Sequence, residues 1–188
     1  MALHTYSLDA ALAALPGFPE LRGRRTRLRA PRTSDADALL ALYSDPDVVR
    51  YRERPPMASR DEALGALAEY REGFEARARV DWMLTRRDDD TVIGTCALFD
   101  FDGMRRSAEI GYALQPAQWG RGLARDAVAR VIDWGVASLG LACIDASIDP
   151  RNLASRKLLL ALGFRDHAMI GGAQWLRLDQ PLSPAAST

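Results

Sequence analysis

The fold is decided by the strand-like Ala108-Glu109-Ile110-Gly111-Tyr112-Ala113-Leu114 and the loop that follows it, Gln115-Pro116-Ala117-Gln118-Trp119-Gly120-Arg121-Gly122-Leu123-Ala124. A turn at Asp102-Gly103 precedes the strand. In the loop, Gly120 and Gly122 permit backbone conformations that other residues avoid, and they carry no side chain to block a ligand. Ala124, Ala127, Val128, Val131, Ile132, Gly135, Val136 and Leu139 then recur at helical spacing, and Gly140 ends the helix. The first amides of such a helix have no internal partner and lie at the positive end of its dipole, which suits anionic phosphate. Residues 118–124 are therefore read as a cradle for an anionic phosphate; taken alone, they fit a ligand-free strand–helix turn equally well. A Walker loop is excluded because no Gly-Lys-Ser/Thr closes the segment. A dinucleotide fingerprint fits badly, because this loop follows antiparallel-looking strands rather than the first strand of a βαβ unit.

Working outward, residues 22–32 hold six arginines, with Arg25, Arg27 and Arg29 alternating around Thr26 and Leu28. That period predicts a strand with one solvated face, and an exposed edge rather than a phosphate site. Thr33-Ser34 offers a cap for a helix carrying Leu39, Leu42 and Tyr43, which ends near Asp45-Pro46. Ser59 and Glu62 form a capping-box pair for a helix running to about residue 77. Strands are predicted over 80–86, 91–99 and 141–148, with Asp145 inside the last. Asn152 caps a short helix ending at Gly163, and residues 164–178 supply a hairpin. The resulting order is strand, two helices, three strands, helix, strand, helix, strands, which is a mixed α/β sheet with helices on its faces.

At 188 residues the chain fits one full-sized core. Its 25 Lys plus Arg equal its 25 Asp plus Glu, so the overall charge gives no support for a nucleic-acid or membrane partner. No stretch is long and apolar enough to span a membrane. Residues 1–15 lack the basic start of a secretory signal and carry Asp9; a short helix ending at Pro16-Gly17 and docking on the domain is expected instead. Cys96 and Cys143 sit in apolar runs without metal-type spacing, as reduced core thiols of a cytoplasmic protein.

Three segments in order, 108–114, 119–124 and Asn152-Leu153-Ala154-Ser155 with Leu162-Gly163-Phe164, resemble the GNAT acetyltransferases. More closely, they resemble the branch containing the ribosomal-protein N-terminal acetyltransferases, whose opening pattern is matched by Thr26-Arg27-Leu28-Arg29, Asp35 and Tyr43-Ser44-Asp45-Pro46-Asp47. The resemblance implies an N-terminal extension over 1–21, a catalytic domain over 22–180 and a flexible tail over 181–188. It implies a mixed, mostly antiparallel seven-strand sheet (α/β, of the α+β kind) with helices on both faces, splayed around acetyl-CoA between strands 108–114 and 141–148. Pantetheine would pair with backbone near Tyr112, Ala113 and Leu114. The pyrophosphate would take amides of Trp119, Gly120, Arg121, Gly122, Leu123 and Ala124, with charge added by Arg121 and Arg125. No metal is implied. Many members have a Tyr seven residues after the Asn as acid toward the leaving thiolate; here that position is Leu159, and in this branch Ser155 substitutes.

The implied reaction is acetyl transfer from acetyl-CoA to a primary amine, on a peptide N-terminus or a small molecule, directly and without a covalent enzyme intermediate. The alternative is a catalytically weak acyl-CoA-binding module. Such transfer needs a neutral nitrogen, an oxyanion donor and a means of handling the thiolate. The amide near Leu114 can polarise the carbonyl. Asn152 serves as N-cap, as a pantetheine contact, or as both, and Ser155 either meets the sulfur or is a plain first-turn residue. Glu109 shares a strand face with Gly111 and Ala113, which leaves room for substrate in front of it. It is the first candidate base, or else an edge charge paired with Arg105 or Arg106; Asp145 is the second. Acceptor selection falls to residues 50–54, Glu62, Glu69 and 167–175. The protein is expected to be a monomer or homodimer.

Overall fold

The computed structural model describes residues 7–180, so the tail expected over 181–188 lies outside the described residues. Its elements run α1 (Leu8–Ala13), β1 (Leu21–Arg22), β2 (Thr26–Arg29), α2 (Ala36–Ser44), α3 (Pro46–Val49), α4 (Arg60–Glu75), β3 (Arg79–Arg86), β4 (Val92–Asp102), β5 (Ser107–Leu114), α5 (Leu123–Leu139), β6 (Cys143–Ile148), α6 (Leu153–Ala161), β7 (Arg165–Ile170) and β8 (Ala173–Asp179). They form one sheet in the order β1-β2-β3-β4-β5-β6-β8-β7. Every neighbouring pair is antiparallel except β5–β6.

The sheet has eight strands rather than the expected seven. The alternating arginines lie in or next to β2, and the chain turns at residues 23–25 just before it, leaving β1 and β2 as an antiparallel pair. Strand β2 is not a solvated edge, because it lies between β1 and β3. Arg29 is only 2% exposed. Its two terminal nitrogens each donate to Asp35 at 2.8 Å, and its Nε donates to Asp90 at 2.7 Å. Stripping water from a guanidinium is tolerable only when its donors are paired in this way. Asp35 also accepts from the Arg32 amide at 2.8 Å, so it orders the entry to α2 in place of Thr33 or Ser34.

One sheet face carries the larger core, where Val80, Trp82, Leu98, Ile110 and Ile144 meet the apolar stripe of α5 and Leu159 of α6. The Trp82 ring packs edge-on against Trp134 of α5, with centroids 5.3 Å apart. Leu8 and Leu12 place α1 in this core, as expected of a docking N-terminal helix. Burying two leucines contributes roughly 3–6 kcal/mol toward ordering that segment. The other face carries a smaller core of Leu39, Leu42, Tyr43 and Leu67 from α2 and α4. Ser59 caps α4 as predicted, accepting from the Glu62 amide, while Glu62 accepts from the Ala58 amide. Cys96 and Cys143 are free and buried. Among the described residues, no helix is long and apolar enough to cross a membrane.

Candidate active site

Strands β5 and β6 pair only at Ser107–Cys143, Ala108–Ile144 and Glu109–Asp145. Beyond Glu109, β5 continues along β4 while β6 follows β8, so a wedge opens between them. The ladder phase shows which backbone groups face it. The Gln115 amide donates to Ile93 of the β4 side, so alternate residues 113 and 111 also point that way. Ile110, Tyr112 and Leu114 turn their amides and carbonyls to the wedge, whereas Ala113 turns its own toward β4. The Leu114 carbonyl accepts from Trp119 Nε1 at 2.7 Å, so this half-exposed indole braces the start of the glycine loop.

At the wedge's broad end stands the loop. The Trp119 amide is consumed in a short 3-10 turn, donating to the Pro116 carbonyl at 3.1 Å. It is therefore not an open donor, contrary to the expectation for residue 119. The amides of Gly120, Arg121, Gly122, Leu123 and Ala124 find no acceptor among the described residues. Gly122 is the N-cap of α5 and takes a left-handed backbone, φ 73°, as does Gly120 at φ 71°. Only glycine does this without cost, and the result is a run of unpaired donors at a helix start.

Asp126, in the first turn of α5, fixes this loop against the N-terminal turn. Its carboxylate accepts the amides of Arg24 and Arg25 at 3.0 Å, that of Thr26 at 3.1 Å, and the Thr26 hydroxyl at 2.7 Å. Burial pushes this carboxyl up, but the Thr26, Arg25 and Arg24 donors outweigh that and hold it below the usual range. A Cβ on Gly23 would come within 2.2 Å of Asp126 Oδ2, so the turn needs glycine there. Nothing in the composition signalled this contact, which spans about a hundred residues of chain.

The wedge floor is crossed by Tyr112, whose hydroxyl lies 2.7 Å from Ser155 Oγ on α6. Burial pushes this phenol up to about 12, against the opposing Ser155 hydrogen bond, so it stays protonated and able to donate. This side-chain contact adds to the backbone role that the family resemblance implies for Tyr112. Asn152 caps α6, its Oδ1 accepting from the Ser155 amide at 3.1 Å. Leu159 is fully buried in the larger core.

The two carboxylates meet at the vertex as register partners. Asp145 is bound by Arg177 through two hydrogen bonds, 2.7 and 2.9 Å, with Arg105 at 3.6 Å. Both its oxygens are engaged, which makes it a poor proton acceptor. Glu109 accepts a backbone hydrogen bond from Ser147 across the vertex. Its carboxyl is pushed up to about 7, first by burial and then by the charge of Asp100, with Asp145 and Glu53 adding to the effect and the Ser147 amide opposing it. The room expected in front of it is smaller than predicted, since a Cβ on Gly111 would lie 3.1 Å from the Phe99 ring. Facing this side, Tyr43 shares a 2.7 Å hydroxyl contact with Thr95, and the Arg52 guanidinium lies 3.9 Å above the Tyr43 ring.

A sheet that splits at a parallel pair, with open strand amides and a phosphate-type loop at the same mouth, defines an acyl-coenzyme-binding enzyme fold. Residues 25–165 match the model of the acetyltransferase (GNAT) domain, and the chain belongs to that family. The uncharacterized N-acetyltransferase YoaA of Bacillus subtilis (strain 168) is 32% identical over 153 residues, covering 81% of this chain and 86% of that protein. The uncharacterized N-acetyltransferase p20 of Bacillus licheniformis is 35% identical over 147 residues, covering 78% and 82%. Among solved structures, Mycobacterium smegmatis RimJ in complex with CoA-disulfide superimposes with a TM-score of 0.75 at 20% identity, covering 86% of each chain. Spermidine N-acetyltransferase from Vibrio cholerae, in complex with CoA and spermine, gives 0.72 at 23% identity, covering 82% of this chain and 95% of that one. The protein is an N-acetyltransferase.

Proposed function

We propose that this chain transfers acetyl from acetyl-CoA directly to a primary amine held on the α2/α4 side of the wedge. The observation that carries the coenzyme half is the run of five open amides from Gly120 to Ala124 beside the unpaired edge of β5. Those amides suit the pyrophosphate, and the wedge-facing groups of Tyr112 and Leu114 suit the pantetheine arm. The free side-chain NH2 of Asn152 is a further donor toward that arm, since the cap uses only its oxygen.

In the transfer, the amine nitrogen forms the C–N bond as the thioester C–S bond breaks. Glu109 takes the proton the nitrogen loses, directly or through water, and the coenzyme leaves as a thiolate. Glu109 is preferred over Asp145 because Asp145 is saturated by Arg177. Ser155 keeps its proton and stabilises the departing thiolate by a hydrogen bond from its hydroxyl. Tyr112 donates in turn to Ser155 Oγ, which directs the serine hydrogen into the wedge. Removing the phenol in Tyr112→Phe is expected to lower kcat about tenfold while the KM for acetyl-CoA changes less than twofold, because one hydrogen bond is worth roughly a kilocalorie or more. Steady-state kinetics against Ser155→Ala tests this. A fall in kcat no larger in either variant than in an exposed-site control would remove the pair from the mechanism.

The acceptor is a peptide N-terminus or a small amine; the structural neighbours include a protein described as a ribosomal-protein-serine acetyltransferase and a spermidine N-acetyltransferase, both from Vibrio cholerae. Coenzyme A release over a panel of N-terminal peptides, polyamines and amino acids, with mass gain of 42 Da on the acceptor (about the mass of an acetyl group less one hydrogen), is the direct test. Turnover on at least one acceptor is expected. A second reading, a coenzyme-binding module, is favoured by one observation, the burial of Leu159 where many relatives carry the acid. Tight coenzyme binding with no turnover on any amine would support it.

A further inference from the structure

The α2/α4 face of the sheet has two poles of opposite charge. Along β4 and β5 this face runs through the register pairs Thr95–Ala113, Ala97–Gly111 and Phe99–Glu109, and Ala97, Phe99, Glu109, Gly111 and Ala113 are all partly exposed. At the Glu109 end the charges of Asp100, Asp145 and Glu53 act on the same carboxyl. That end suits an arriving ammonium.

At the other end, Tyr43 is hydrogen-bonded to Thr95 and carries the Arg52 guanidinium 3.9 Å above its ring. The neighbouring arginines are neutralised: Arg50 pairs with Asp47 at 2.8 Å, and Arg79 donates twice to Asp81, at 2.5 and 2.7 Å. Arg52 meets no carboxylate among the described residues. It is nonetheless held in place. Its amide donates to the Val49 carbonyl at 2.9 Å, and the preceding Tyr51 ring lies 5.9 Å from the Arg151 guanidinium of the β6–α6 turn. Half-buried Tyr70 of α4 stands beside both arginines, with the Arg79 guanidinium 5.3 Å from its ring centroid and the charge of Arg52 acting on its hydroxyl. That hydroxyl finds no hydrogen-bond partner among the described residues. Burial, then Tyr43 and Asp81, push the phenol up against the opposing charges of Arg79 and Arg52, so it stays protonated and able to donate.

A guanidinium laid flat on an aromatic ring keeps its N–H edge free, and that edge matches a planar carboxylate. A polyamine would bring its second ammonium against this unopposed cation, and a peptide would bring an uncharged amide. Resting on the reading that an amine is acetylated beside Glu109, we propose that Arg52, helped by the Tyr70 hydroxyl, binds a free carboxylate on the acceptor, so that the substrate is an amino acid. Arg52 and Tyr70 are then specificity-determining residues and take no part in the proton transfers.

The test is steady-state kinetics of the full chain with acetyl-CoA and matched acceptors: α- and ω-amino acids, their carboxamides, and the corresponding decarboxylated amines, compared at equal concentrations of neutral amine. The wild-type kcat/KM is expected to be about tenfold or more higher for the carboxylates, the scale of one to two charge-assisted hydrogen bonds. In Arg52→Gln that preference is expected to fall to within about twofold, through a higher KM for the carboxylated acceptors. Arg52→Lys keeps the charge without the fork and is expected to retain part of the preference. Tyr70→Phe is expected to lower it about threefold, as the loss of one neutral donor. Arg52 is exposed, so its variants keep the fold. If the wild type uses carboxamides or bare amines as well as the carboxylates, or if the preference survives undiminished in Arg52→Gln, the inference is overturned and acetyl transfer to an amine stands. Turnover on no amine overturns both.

Discussion

Replacing Glu109 by Gln is expected to lower kcat/KM about a hundredfold above neutral pH and to abolish a rise in activity centred near pH 7. The sign follows from the charge state. A base must be unprotonated, and a carboxyl pushed up to about 7 is mostly carboxylate only above that pH, so wild-type activity climbs with pH through this region. Gln keeps the hydrogen bond from the Ser147 amide but cannot take a proton, so the change isolates chemistry from structure. The acceptor amine also titrates, and its limb shifts with its own pKa. Profiles with two acceptors of different basicity separate the limbs: the Glu109 limb is common to both and absent in the variant. A common limb that survives in Glu109→Gln would assign proton removal to another group or to solvent.

The second large effect is expected at Gly122. A valine there must hold φ near 73° with a branched Cβ, a conformation costing about 1–3 kcal/mol, or else rearrange the loop. The nearest neighbour to an added Cβ is Arg25 Nη1, 3.6 Å away, so the protein itself leaves space for the side chain. The damage falls on the row of amides, which lose their common direction or their open approach. Losing two charge-assisted hydrogen bonds raises the Kd for acetyl-CoA at least about a hundredfold. Circular dichroism should show the same secondary structure, and titration calorimetry should show the loss. Unchanged affinity would mean that the phosphates are held elsewhere.

What could be read in the sequence was what local chemistry dictates. Gly120 and Gly122 announce their backbone conformation through residue type alone, and Asn152 and Ser59 announce helix starts three residues ahead of the amides they cap. The wedge was legible only through the order of three motifs, since no single segment encodes the divergence of two strands. Contacts between distant segments were not legible. Period-two alternation put Arg29 on a face but could not reveal that Asp35 and Asp90 would be folded over it. Tyr112 and Ser155 lie 43 residues apart, and Asp145 looked available until Arg177, 32 residues on, proved to be its partner across β6–β8. The turn at residues 23–25 was hidden for the same reason, because the carboxylate that holds it arrives from α5.

The way Asp126 grips the N-terminal turn has a consequence for how this protein can change. The grip falls on three backbone amides and one threonine hydroxyl, and on none of the arginine side chains. Gly23, Thr26 and Asp126 therefore carry the geometry of the turn, and the Arg25 side chain is tied to the Arg121 carbonyl, while position 24 is left to present whatever side chain it bears at a fixed place beside the loop. Scaffold and display are separate at this corner of the molecule. Substitutions at the displayed position 24 can retune the electrostatic surroundings of the glycine loop without disturbing the strand order beneath it.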